Sequence, residues 1–212
     1  MVTFYLLSKL GMISSILIAS IFLFNYKKLN RSLKIFSIFF GLLALVNLVG
    51  SIIGSLKIHN VFLWHSFNYV ELFFMTWFFL SFYNGKAKTT VKVSALLILF
   101  IMLYGSVFIN TINEFNVLGF FVMKLFVIIL SMIEVYKNQL VSNKHYYYLN
   151  IGTIITSIVS LCYFTFWNLR LDNFFPAEGK KVLMITNAVG FIVGVLFYLA
   201  EFYKSKLWME NR

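Results

Sequence analysis

Between Val61 and Tyr83 the chain reads VFLWHSFNYVELFFMTWFFLSFY, and three side chains in that stretch carry chemistry. His65, Asn68 and Glu71 recur every three residues, so on a helix they fall within a ~120° arc that also holds Trp64 and Met75. An imidazole, a carboxamide and a carboxylate on one apolar helix suit the binding or passage of a ligand, a proton or an ion. A carboxylate near the middle of a membrane helix costs ~2.5–3.5 kcal/mol on insertion scales, so Glu71 must face the interior and find a partner. Lys124 is the partner expected: it lies ~10 Å below the start of its own apolar run, and Glu71 ~15 Å below the start of its run. An ion pair of this kind would either hold helices in register or form the floor of a polar cavity opening past His65 and Asn68.

The surrounding sequence must build a membrane domain. Of 212 residues, 61% are apolar and 20% aromatic, while 12% are charged against about 25% in soluble domains. Seven apolar runs predict transmembrane helices at Thr3–Asn25, Ile35–Leu56, Val61–Tyr83, Val93–Ile109, Val117–Tyr136, Tyr146–Asn168 and Val182–Tyr203. The fourth, with 17 residues, is at the lower limit for crossing. The expectation is one all-α, polytopic seven-helix domain over residues 1–212, without room between helices for a soluble domain. The first run is not a cleaved signal peptide, because its positive charge follows it and no small-x-small site appears.

Lys and Arg counts set the orientation. Lys27, Lys28, Arg31, Lys34, Lys86, Lys88, Lys92, Lys137, Lys144, Lys204, Lys206 and Arg212 fall on one side, and only Lys57, Arg170, Lys180 and Lys181 on the other. Twelve against four places the N-terminus outside and the C-terminus in the cytoplasm of a bacterial inner membrane. The same clustering explains the net charge of +11 without nucleic acid. Trp64, Trp167, Trp208 and the run Tyr146 to Tyr148 read as interfacial aromatic belts.

Gly50 and Gly54, and again Gly190 and Gly194, form GxxxG pairs that suit close helix packing, within the chain or between copies. Asn150, Thr153, Ser157 and Ser160 give the sixth run a polar side suited to interhelical hydrogen bonds, as do Asn47, Thr186 and Asn187. Glu134 and Glu201, beside Lys137 and Lys204, read as solvated helix ends.

Catalytic signatures are absent: no GxxxxGK[ST], GxGxxG, HExxH or GxSxG occurs. The three histidines are His59, His65 and His145, no Asp lies in any run, and Cys162 is the only cysteine. Neither an enzyme, nor a metal site, nor a cofactor is expected. The lone Pro176 lies in a connection, so no run has the proline break common in transporters.

With His65, Tyr69, Glu71 and Leu72 in its third run, the segment WHSFNYVELFF resembles uncharacterised bacterial seven-helix integral membrane proteins. Similar regions stand alone or precede histidine kinases as sensor modules. The resemblance implies a sensor, but only a nine-residue basic tail follows the last run, so a signal would pass through a separate protein. In size and basic loops the chain is also similar to small multi-span accessory proteins encoded beside bacterial antiviral systems, including RNA-targeting CRISPR loci. The expectation is therefore a non-enzymatic sensor or signalling accessory, with membrane lipid and a cytoplasmic or membrane protein as partners. Its rival is a pore or membrane-perturbing defence effector that oligomerises through its glycine faces. A small-solute transporter comes third.

Overall fold

Apolar side chains without strand-like alternation, in runs free of proline, leave the backbone no way to satisfy itself in hydrocarbon except as helices. The computed structural model describes residues 2–56, 60–109, 115–140, 146–168 and 177–210, and among them the regular structure is entirely helical. Seven α-helices follow in order: α1 (Val2–Phe24), α2 (Arg31–Ser55), α3 (Val61–Leu80), α4 (Gly85–Tyr104), α5 (Val117–Leu140), α6 (Tyr147–Asn168) and α7 (Ala177–Glu210). A 3₁₀ turn at Tyr26–Lys28 separates α1 from α2, and α4 runs on into a π-helical segment at Gly105–Ile109.

Five helical segments are long and apolar enough to cross a membrane: Arg31–Ser55, Gly85–Ile109, Val117–Leu140, Tyr147–Phe166 and Val182–Ser205. A membrane helical bundle is the architecture they suit. α3 is not in that set, since His65, Asn68 and Glu71 interrupt the apolar character of its 20 residues. In α1 the apolar stretch described by side chain is the shorter Met12–Phe24.

Helices outrun the apolar runs that signal them. α4 starts eight residues before Val93 and α7 five before Val182, because apolarity marks hydrocarbon thickness while a helix continues through polar flanks. The fourth run, shortest by sequence, thus becomes a 25-residue helical segment. The interhelical turns around Lys57, Glu114, Lys144 and Arg170 lie outside the described residues.

Packing divides into two units, Ser15–Met123 and the combination of Met1–Ser14 with Lys124–Arg212. In the first, α2 and α3 run antiparallel through a ladder of rings: Phe36 to Phe78 at 5.3 Å, and Phe39 stacked on Phe67 at 5.8 Å. Ser32 and Ser81 close one end with a 2.7 Å hydroxyl contact. At the other end Asn60 Nδ2 donates to the Gly50 carbonyl at 3.1 Å and lies 3.6 Å from where a Gly54 Cβ would stand. The Gly50–Gly54 pair therefore receives a side chain of its own chain. Asn47 donates to Ser15 Oγ at 3.3 Å, tying α2 to α1.

In the second unit α6 and α7 pack closely through glycine. A Cβ on Gly152 would stand 2.9 Å from the Gly194 carbonyl, and one on Gly194 would collide with Thr156. Gly190 faces Val159 in the same way, and Tyr198 reaches Thr156 Oγ1 at 3.0 Å. Asn150, Thr153 and Ser157 are buried along α6.

These two glycine pairs should respond differently to one methyl group. Gly194→Ala forces backbones apart and is expected to cost about 1–3 kcal/mol, whereas Gly54→Ala meets ordinary contact and should cost nothing or gain from helix propensity. Unfolding in mixed micelles checks this; equal effects would contradict the α6–α7 seam.

Candidate functional site

Polar chemistry in the Ser15–Met123 unit gathers where α3 meets the end of α4. His65 and Tyr69 are one helical turn apart on α3, and both reach Ser106 in the π-helical segment. Four groups surround the Ser106 hydroxyl: Tyr69 OH at 2.6 Å, the Met102 carbonyl at 2.8 Å, His65 Nε2 at 2.9 Å and Asn116 Nδ2 at 3.0 Å. Asn116 Nδ2 also donates to the Met102 carbonyl at 2.7 Å. Its Oδ1 accepts from Gly119 N–H at 2.8 Å, capping the first turn of α5. Space for this carboxamide comes from two glycines: a Cβ on Gly105 or Gly119 would fall 2.6 or 2.7 Å from it.

Ser106 has one proton and two lone pairs. Its proton goes to the Met102 carbonyl or to His65 Nε2, and its lone pairs accept from the donors around it. Tyr69 OH also lies 3.3 Å from the Met102 carbonyl, so both imidazole tautomers fit the network. Nδ1 is buried and has no hydrogen-bond partner among the described residues.

A serine 2.9 Å from an imidazole has the spacing of a nucleophile and its base. Here the hydroxyl is hemmed in by four polar groups, and Nδ1 of the imidazole has no partner among the described residues. The arrangement joins α3 to the end of α4 and leaves one ring nitrogen to spare. Among the described residues no cluster of His, Cys, Asp or Glu could hold a metal.

Asn68 and Glu71 occupy the opposite side of α3 from Tyr69, at about 60° and 120° from His65. Both are buried, at 5% and 7% exposure, and Glu71 borders the Phe67, Phe74 and Phe78 stripe that meets α2. Lys124, also buried at 8%, belongs to the other unit. His65 reaches, with Tyr69, the end of α4, and Asn68 and Glu71 are buried farther round the same helix.

In its own unit Glu201 departs from a solvated helix end. It is 3% exposed, and its Oε2 accepts from the backbone N–H of Tyr148 at 2.9 Å and of Leu149 at 3.5 Å. A carboxylate on the free N–H groups that open α6 also complements the helix dipole. Lys204 stays 3.8 Å away and 40% exposed, so it serves the cap from outside. Tyr146, just before α6, has φ of 57°, a left-handed conformation uncommon for a non-glycine residue. Glu134 keeps the exposed pairing with Lys137 that the spacing implies, at 3.0 Å. Cys162 is exposed on α6.

Ser106 and Asn116 escape sequence reasoning because the partners that join them to other helices and to each other are 10 to 41 residues away. The one available signal is the pair Gly105 and Gly119 flanking a short polar connection. No family model, curated protein or solved structure matches the chain.

Asn116→Ala removes the α5 cap and two donors from a buried network. We expect a loss of about 1–3 kcal/mol in stability, read by unfolding in mixed micelles. A change below about 0.5 kcal/mol would mean the network contributes little.

Proposed function

We propose that the chain is a non-enzymatic, multi-pass membrane sensor or signalling accessory that acts through a partner protein. Its input site is the polar side of α3, and the His65–Ser106 contact couples that side to α4. The observation that carries this reading is the buried Nδ1 of His65, unpartnered among the described residues in an otherwise satisfied network. A spare buried ring nitrogen favours a ligand that brings the complementary hydrogen-bonding group, since binding removes a penalty of roughly 1–3 kcal/mol.

The output follows from the helix type. A π-helical segment holds more residues per turn than the α-helix around it and is frequent at functional sites. Gly105–Ile109 begins one residue before Ser106, so a ligand on His65 bears directly on the segment's register. Two registers of α4 would be the two states whose populations the ligand shifts. The seven-span topology with the N-terminus outside a bacterial inner membrane belongs to the same proposal. Charge asymmetry supports the topology. Kinship with the sensor regions of histidine kinases rests on His65, Tyr69, Glu71 and Leu72.

The pore reading needs glycine faces free for other copies. Gly190 and Gly194 are taken up by α6, and Gly50 is buried with its carbonyl bonded to Asn60, which favours the accessory; Gly54 alone of the four is exposed.

Overexpression separates the two. The accessory reading predicts neutral growth, no dye entry and a copurifying protein whose yield changes in His65→Phe while the fold persists. Dye entry that scales with expression would contradict it and support the pore.

A further inference from the structure

Basic side chains in the Ser15–Met123 unit collect at one end. Lys27, Lys28 and Arg31 are exposed around the α1–α2 turn, and Lys86, Lys88 and Lys92 along the first turns of α4. The Ser32–Ser81 contact at 2.7 Å joins the start of α2 to the end of α3, so both groups occupy the same end. No Asp or Glu occurs in residues 24–34 or 81–92 to offset the six charges.

These cations are held at a fixed depth. Leu29 is buried between Lys28 and Asn30, and the Lys28 N–H bonds to the Asn25 carbonyl at 2.9 Å. Asn30 accepts from Leu33 N–H at 3.1 Å and caps α2. Buried Tyr83 anchors the second turn. Apolar surface begins at once: Phe24 is 90% exposed three residues before Lys27, and Val93 is exposed next to Lys92. Cations one step from an exposed apolar belt lie at headgroup depth, not out where a soluble acidic partner would dock.

We propose that this basic end binds the phosphate headgroups of anionic phospholipids, whichever side of the bilayer it faces. Each cation near such a surface contributes attraction that salt screens. The interaction differs from orientation by charge bias alone, because it persists in a purified, already inserted protein.

The purified full chain is reconstituted in nanodiscs of phosphatidylcholine with a graded fraction of phosphatidylglycerol. Retained phosphatidylglycerol is counted by native mass spectrometry. Two triple variants are compared, Lys27→Gln with Lys28→Gln and Arg31→Gln, and Lys86→Gln with Lys88→Gln and Lys92→Gln; Lys137→Gln is the control. All six positions are exposed, so folding in phosphatidylcholine should be kept; if one variant fails to fold, the other carries the test. The half-saturating lipid fraction should rise about tenfold or more in each triple variant and stay put in the control. Unchanged retention, equal loss in the control, or displacement of the lipid by free glycerol phosphate would each overturn the proposal.

Discussion

A backbone carbonyl in the last α-helical turn of α4, that of Met102, holds the Ser15–Met123 unit in register. Ser106 and Asn116 converge on it, and Ser106 extends the contact to His65 and Tyr69 of α3. In hydrocarbon an unmet polar group costs more than in water, so such a network is all or nothing. Fully met, it fixes the order in which α3, the π-helical segment and the start of α5 approach. Its one group without a partner among the described residues, His65 Nδ1, is then conspicuous, and the functional reading grows from it.

The second unit solves a similar problem by other means. α6 and α7 meet through Gly152, Gly190 and Gly194, where missing side chains let backbones approach. Glu201 then closes the open N–H groups of α6. Each unit finishes a helix start with one polar side chain: Asn116 for α5 from its own cap position with bonds back to α4, Glu201 for α6 from α7.

Helix content and most helix positions are legible in the sequence, because apolar runs of bilayer length admit little else. Helix ends are not, as the polar first turns of α4 show. For the site, spacing alone identifies α3 as the polar helix and marks His65, Asn68 and Glu71. It cannot show that His65 meets Ser106 at the end of α4, because that contact is set by packing between segments. Glu201 misleads for a related reason: proximity to Lys204 suggests exposure, and only the fold brings the start of α6 to it.

Whether His65 and Ser106 act as one unit is open to a double-mutant cycle on His65→Phe and Ser106→Ala, measured as unfolding free energy in mixed micelles. A shared hydrogen bond at 2.9 Å should give a coupling of about 0.6–1.7 kcal/mol, the range found for interhelical hydrogen bonds in membranes. Additive losses, equal to within about 0.3 kcal/mol, would contradict the lock between α3 and α4.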